Sequence, residues 1–348
     1  MATSIYEFAQ LPSVRRGPTS WSNARRARAR GEAPRVGVIY NPRSHRNKGA
    51  DFDCGISPHV FISQPGDRSQ LPQALAELAD RGIDLLVING GDGTVRDVLT
   101  SGHGIFGDEW PAIAVLPKGK TNALTVDLGV PTEWSLQDAI DAFDDGDRVH
   151  RRPIEVSSAD NASSTVLGFI MGAGSFTKAT QAGQSAHRLG AFNSLAVGVT
   201  TAWTILQSVF GSRKNIWRIG SRMHIELGPR GAPLAHSGVG DPEFRQLLFA
   251  STLERFPAGI LPFGQLRTGL KIIAIDQVAR RSMALVPLAA MGWKTRGLRE
   301  RGIHQVCVPD FAIDIEDQFI FDGEAFPAGK YRIGQGPELK FVAPKSED

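Results

Sequence analysis

The stretch Val87-Ile88-Asn89-Gly90-Gly91-Asp92-Gly93-Thr94-Val95-Arg96-Asp97 constrains this chain more than any other. Leu85 to Ile88 is an unbroken apolar run, the pattern of a parallel strand buried on both faces. It runs into Gly90, Gly91 and Gly93, and beyond Thr94 the residues Val95, Val98 and Leu99 recur at helical spacing. A strand, a Gly-rich turn and a helix start, in that order, belong to an α/β fold. Glycine adds no side chain and tolerates positive φ, so such a turn lets backbone N–H groups approach a phosphate. The helix start adds about half a positive charge at the same point. Asp92 would then face the phosphates, a place to hold Mg²⁺. A tight turn that binds nothing has the same local pattern, so the neighbouring strands must decide.

Those neighbours repeat the pattern. Val36 to Tyr40 is a short apolar strand followed by the polar turn Asn41-Pro42-Arg43-Ser44-His45-Arg46-Asn47-Lys48-Gly49. His59 to Ser63 reads as a second strand, and Ser69 to Arg81 carries Leu71, Ala74, Leu75 and Leu78 at helical spacing. The Gly-rich strand comes third. Ala112 to Leu116 is a fourth and runs into Pro117-Lys118-Gly119-Lys120-Thr121-Asn122, with a closing helix over Trp134 to Phe143. Strands alternating with helices predict a doubly wound parallel sheet. Ligands of such sheets bind beyond the carboxyl ends of the strands. Three polar turns follow three apolar strands, so all three converge on one edge, which points to a nucleotide site.

After Asp147 the pattern changes to short β-rich segments: Ile154 to Val156, Val166 to Ile170, Met223 to Leu227, Gln246 to Ser251, Leu270 to Ile275, His304 to Val308 and Phe311 to Phe321. In Phe311-Ala312-Ile313-Asp314-Ile315-Glu316 apolar side chains alternate with small or charged ones, a strand with one buried face. The fold class is therefore α/β, with a mainly antiparallel β-sandwich domain after the parallel one. The expected domains are a disordered basic arm at 1–34, a nucleotide-binding domain at 35–147 and a β-rich substrate domain at 148–348, with the active site in the cleft between the last two. A chain of 348 residues is long for one core, which agrees with two domains. The arm carries Arg15, Arg16, Arg25, Arg26, Arg28 and Arg30 with no acidic residue among them. It is either a solubilising tail or an attraction to anionic lipid, with Trp21 as an interfacial anchor. The net charge of +3 is too small to argue for nucleic acid, and none is expected as a partner. The two cysteines, Cys54 and Cys307, make no disulfide framework and fit a reducing compartment as buried thiols. The N-terminus lacks the basic-then-apolar pattern of a signal peptide. Leu189 to Gly211 holds no charged residue yet is too polar for a convincing membrane span. It reads as a buried or amphipathic helix, or as one that touches a bilayer. Near the C-terminus Asp322-Gly323-Glu324 follows the strand end Phe319 to Phe321. Two carboxylates at a strand end can point into a cleft, and they can equally form an acidic surface turn.

Taken together, these motifs resemble the diacylglycerol-kinase catalytic family of lipid kinases, which includes bacterial diacylglycerol kinases, sphingosine kinases and ceramide kinases. The resemblance covers roughly residues 35–337, and Gly90-Gly91-Asp92-Gly93-Thr94 is its most specific piece. Asn41-Pro42-Arg43 with Ser44 is similar to the family's first nucleotide loop. Ser63, ahead of Pro65-Gly66-Asp67, stands where the family has a nucleotide-contacting threonine, and Pro117-x-Gly119 with Asn122 is similar to the third loop. The resemblance implies ATP contacts at Asn41, Pro42, Arg43, Ser44, Ser63, Gly90, Gly91, Asp92, Gly93, Thr94, Val95, Arg96, Lys120 and Asn122, with Mg²⁺ entering with ATP at Asp92. It also implies that Asp-Gly-Glu is the catalytic motif. Glu324 is then the proton acceptor and Asp322 orients the hydroxyl or the metal. Gly172-x-Gly174 is similar to the region leading into the substrate cleft. The chain departs from the family in three places. His45 stands where glycine is usual, Lys120 where threonine is usual, and Thr268-Gly269-Leu270 where Asp-Gly-Leu holds a structural Mg²⁺, so no structural metal is expected there.

The expected activity is ATP- and Mg²⁺-dependent phosphorylation of a primary hydroxyl on a membrane lipid. Ceramide or another sphingoid lipid stands level with diacylglycerol or slightly ahead of it, giving ceramide 1-phosphate or phosphatidic acid. The enzyme would be cytoplasmic, in peripheral contact with the anionic inner face of the membrane. Two other readings are a soluble-substrate kinase of the NAD-kinase type, where Gly-Gly-Asp-Gly-Thr also occurs, and an inactive nucleotide-sensing membrane-surface protein.

Overall fold

The computed structural model describes residues 8–14, 32–48, 57–161, 163–177, 180, 220–277, 285, 291–292 and 297–346. The chain divides into two compact units. An α/β unit holds Pro12–Pro153, Thr165–Gly168 and Gly336–Asp348, and a β unit holds Met1–Leu11, Ile154–Ser164 and Phe169–Gln335.

In chain order the first elements are β1 (Val36–Tyr40), β2 (Val60–Ser63), α1 (Leu71–Asp80), β3 (Leu85–Gly90), α2 (Asp92–Phe106), β4 (Ala112–Pro117), α3 (Ala123–Asp127), α4 (Leu136–Asp145) and β5 (Asp147–Arg151). Then come β6 (Ile154–Ser158), β7 (Thr165–Gly168), β8 (Ile170–Gly174), β9 (Ser221–Leu227), β10 (Ala232–Pro233), β11 (Phe244–Ser251) and β12 (Leu270–Asp276). The last are β13 (Ile303–Val308), β14 (Phe311–Ile315), β15 (Phe319–Phe321), β16 (Glu324–Phe326), β17 (Gly329–Gln335) and β18 (Leu339–Ala343).

The sheet of the α/β unit runs β2-β1-β3-β4-β18-β5. Its first five strands are parallel and β5 is antiparallel to β18. β1 and β3 are buried at every position, as their unbroken apolar runs require. Each fully buried Val or Ile there contributes about 1.5–3 kcal/mol of burial. α1 turns Leu71, Ala74, Leu75 and Leu78 inward and packs against α2. A capping box between Ser135 and Asp138 starts α4.

In the β unit the strand order is β16-β15-β8-β11-β9-β14-β17-β6, with β12 and β13 continuing from the other edge of β11. These pairings are antiparallel. The expected sandwich is thus a curled sheet. β11 meets β9 only at Phe244–Arg222 and Arg245–Ser221, beside a bulge between Arg245 and Leu247, and bulges bend the strand that carries them. At that bend Arg245 pairs with the buried Asp276, and His304 Nε2 lies 2.9 Å from the same carboxylate. In the turn before β12 the buried ammonium of Lys271 donates to the carbonyls of Arg267 and Gly269 at 2.8 and 3.0 Å, a cation held by the turn around Thr268.

Several boundaries differ from the sequence reading. The second domain is not the continuous span 148–348: the α/β unit extends to Pro153 and takes back Thr165–Gly168 and Gly336–Asp348. β18 returns because its apolar run inserts into the parallel sheet between β4 and β5. The segment expected as one strand over Val166 to Ile170 breaks at Phe169, and that over Phe311 to Phe321 breaks after Ile315. The arm expected to be disordered over 1–34 contains an ordered piece: Leu11 is buried and the Phe8 ring stacks on Phe326. Cys307 is exposed rather than buried, because cover over β13 is lost beyond its buried first residues Ile303 and His304. Cys54, the arginines of the arm and Leu189 to Gly211 lie outside the described residues. Among the described residues no helix is long and apolar enough to cross a membrane.

Candidate active site

The polar turns at the carboxyl ends of β1 to β4 are tied to one another. Asn41 Nδ2 donates to Thr94 Oγ1 at 2.8 Å, joining the turn after β1 to the start of α2. Asn47 Nδ2 donates to Asn41 O and to Asn89 Oδ1, both at 2.8 Å. Arg43 Nη2 reaches Gly66 O at 2.7 Å, in the turn after β2. Arg46 N–H donates to Lys118 O at 3.0 Å and Lys118 N–H to Gly90 O at 3.3 Å, which brings in the turn after β4. Gly91 and Gly119 cross backbone to backbone: a Cβ built on either would lie 2.7 Å from the other's Cα. Asn122, at φ +52°, closes the last turn by accepting from Gly119 N–H at 2.7 Å and donating to Gly119 O at 3.1 Å. The convergence expected from strand order is therefore a hydrogen-bonded cluster.

At its centre α2 begins after Gly91 with no side-chain cap. Its first backbone N–H groups lack intrahelical partners, and glycine supplies no oxygen to them. An anion fits that position. Asp92, the first residue of the helix, turns Oδ1 toward Leu124 N–H at 3.4 Å. Burial raises the Asp92 carboxyl above its ordinary value, opposed by hydrogen bonds from the backbone of Ala123, Leu124 and Asn122. A nearby cation would restore the charged form. Among the described residues no three His, Cys, Asp or Glu side chains are grouped to hold a metal. The donor set fits a Mg²⁺ whose other ligands are phosphate and water, and does not fit an all-protein metal site.

The individual side chains refine the expected contacts. Val95 and Arg96 are buried, and the Arg96 guanidinium pairs with Asp97, which also takes Arg68 at 2.5 Å. Their place is in the packing of α2, so neither side chain is open to a nucleotide. Ser44 is buried and its backbone shapes the first turn. Arg43 and Lys120 are exposed, available to phosphate. Pro42, Ser63, Gly93 and Thr94 are partly exposed around the same cluster. Sequence reasoning missed Asn47 and Asn89. A polar residue ending the apolar run of β3 was the signal for the second.

The Asp-Gly-Glu stretch lies in the β unit. Asp322 and Gly323, at φ +42° and +82°, are the two turn residues of the β15–β16 hairpin. Positive φ at both central positions is the mark of the type I′ turn that Asp-Gly favours. The Asp322 carboxylate accepts from Phe169 N–H at 3.0 Å and from Ile170 N–H at 2.9 Å. Its own N–H donates to Ile170 O at 2.9 Å. Asp322 therefore anchors the hairpin to β8, a role the sequence reading did not include. Glu324, half-buried, is the first residue of β16 and pairs across the hairpin with Phe321. Behind it Ile320 and Ala325 pack against Phe176. Phe176 in turn meets Phe249 at 5.4 Å, and Phe249 meets Phe263 at 5.4 Å and Phe256 at 6.0 Å. Gly172 belongs to this group because a Cβ there would lie 2.0 Å from the Phe176 ring.

Comparison with known proteins bears on both units. Residues 35–157 match the family model described as the diacylglycerol kinase catalytic domain. A segment of 78 residues is 32% identical to the "Probable lipid kinase YegS" of Escherichia coli O6:K15:H31 and 31% identical to that of Shigella flexneri. These matches cover 22% of this chain and 25% of each relative, so the chain aligns with about a quarter of the length of the curated relatives it matches. The crystal structure of a diacylglycerol kinase from Bacillus anthracis str. Sterne superposes with a TM-score of 0.57 at 17% identity, covering 89% of this chain and 97% of that one. A second crystal structure from the same organism gives 0.60 at 15% identity with the same coverage. At these identities the superpositions speak for the fold.

Proposed function

We propose that this chain, whose residues 35–157 match the diacylglycerol kinase catalytic domain model, transfers the γ-phosphoryl group of ATP to a hydroxyl of a membrane lipid. The observation that carries this reading is the hydrogen-bonded cluster of four strand-end turns around the uncapped start of α2. The N–H groups of Asp92, Gly93 and Thr94 would hold phosphate oxygens, with Arg43 and Lys120 at the rim as positive charges. Asp92 would hold the Mg²⁺ that enters with ATP, and that ion would supply charge neutralisation for the transferring group. Glu324 would accept the proton of the lipid hydroxyl as its oxygen bonds to the γ-phosphorus and the bond to the ADP oxygen breaks. Asp322 holds the Glu324 turn in register.

A lipid acceptor is supported by the phenylalanine group of Phe176, Phe249, Phe256 and Phe263 next to the catalytic hairpin. Phe176 and Phe249 are only partly buried, so apolar surface is available there for a hydrocarbon chain. Ceramide and diacylglycerol each present a hydroxymethyl group beside two such chains, and both are proposed as substrates. Six arginines between Arg15 and Arg30 support peripheral contact with the anionic, cytoplasmic face of a membrane, at about 1 kcal/mol per basic residue near the surface. The test is to incubate the purified full chain with γ-labelled ATP, Mg²⁺ and separate vesicles containing ceramide, diacylglycerol or sphingosine. Label in ceramide 1-phosphate or phosphatidic acid is the expected result. Label in none of the lipids, with label in NAD when that is supplied instead, would overturn it.

A further inference from the structure

The β16 strand that carries Glu324 is only three residues long and pairs with β15 along one edge. Among the described residues, what meets its other edge is the N-terminal segment of the chain. Phe8 N–H donates to Ala325 O at 2.9 Å, so the segment bonds to the strand one residue beyond Glu324. The Phe8 ring lies flat on Phe326, with centroids 4.5 Å apart and planes 6° from parallel. Phe326 continues this stack inward to Phe319 at 5.5 Å, and Phe319 meets Tyr331 at 5.1 Å. Leu11, three residues on, is 4% exposed. A segment without helical or strand periodicity is therefore fixed to the catalytic hairpin by one backbone bond and one ring stack, and is itself buried at Leu11.

We propose that Phe8 is a positioning residue for Glu324, and that residues 8–11 act as an outer brace of the catalytic strand. The proposal rests on the kinase reading above, in which Glu324 is the base. A short edge strand held on one side can shift along or away from its partner. The turn is fixed at its base by Asp322, but the strand beyond Glu324 needs a second restraint, and the Phe8 bond and ring supply it. Rate responds steeply to such placement, since a base displaced by about 1 Å can cost on the order of 10² in rate. Phe8 belongs to the β unit and the proposed phosphate contacts to the α/β unit, so its removal should leave ATP binding alone.

The experiment compares wild type, Phe8→Ala and Phe8→Leu in the full chain, with γ-labelled ATP and the lipid on which wild type is active. Melting temperature and amide hydrogen exchange over residues 319–327 are recorded alongside. We expect Phe8→Ala to lower kcat by about tenfold, with KM for ATP within about twofold of wild type and faster exchange at Ala325 and Phe326. Phe8→Leu, which keeps part of the apolar contact that Phe8→Ala removes, should recover most of the rate. Unchanged kcat in a Phe8→Ala protein that exchanges faster or melts lower would mean that the contact is only structural, and the positioning role would fall. Unchanged exchange would also overturn it, whatever the rate. A wild type with no activity on any lipid would instead sink the kinase reading on which the proposal rests, while the exchange data would still report whether Phe8 braces the strand.

Discussion

Single residues set narrow limits in each unit. Gly91 and Gly119 illustrate this most simply, because their Cα atoms are so close that neither position has room for a methyl group. Gly91→Ala should push the turn after β3 from the turn after β4, with an overpacking cost of about 1–3 kcal/mol. We expect at least a tenfold weaker Kd for ATP by calorimetry, and an unchanged Kd would show that the crossing does not shape the phosphate site. Asp322 makes a different demand. Asparagine in its place keeps one acceptor for Ile170 N–H and turns an NH₂ group toward the N–H donor of Phe169. Asp322→Asn should therefore lower stability by about 1–3 kcal/mol in denaturant titration, and an unchanged midpoint would refute the anchoring role. Gly90-Gly91-Asp92-Gly93 and Asp322-Gly323 were legible in the sequence because tight turns and close backbone approach demand those residue types. The role of Asp322 was not, because its partners lie 153 and 152 positions away in the chain.

Elements were legible where a run of one kind fixed them. The buried runs of β1, β3 and β4 and the helical spacing of α1 appear in the fold within a residue or two of their expected ends. Pieces that join a unit distant in sequence were not legible. Nothing in Leu339 to Ala343 announces that it enters a sheet begun at Val36, and nothing in Phe8 to Leu11 announces a docking site at Ala325. The bend that joins β11, β12 and β13 is held by a buried charge group that periodicity cannot reveal. Burial by itself would raise the Asp276 carboxyl, but hydrogen bonds from His304 and Ser237 and the Arg245 guanidinium outweigh it, leaving the pKa at about 2. A carboxyl depressed in the folded state favours folding above its unfolded value of about 3.9, and that contribution is lost as pH falls toward the folded value. Stability should therefore drop between pH ~4 and pH ~2 in urea titrations. In Asp276→Asn that drop should be shallower, from a lower stability at pH ~7 because Arg245 loses its buried partner. An acid limb identical in the two proteins would remove Asp276 from the account.

For the whole molecule, the proposed kinase reading assigns phosphate binding to the α/β unit and proton acceptance to Glu324 of the β unit, and it assigns membrane attachment to the basic arm. Because Phe8 and Leu11 are packed, the arm is best tested by charge rather than by truncation. Replacing Arg15, Arg16, Arg25, Arg26, Arg28 and Arg30 with glutamine should weaken sedimentation with anionic vesicles at low salt. The difference should shrink toward 1 M salt as surface charges are screened. Equal binding at low salt would exclude the arm as a tether. The central claim is tested most directly by Glu324→Gln, assayed for lipid phosphorylation and for ATP affinity in the same preparation. An amide of the same size cannot take the hydroxyl proton, and loss of a general base usually lowers the rate by about 10² to 10⁴. The account predicts that loss in kcat, with the Kd for ATP and the melting temperature unchanged. Normal lipid phosphorylation by Glu324→Gln would contradict it.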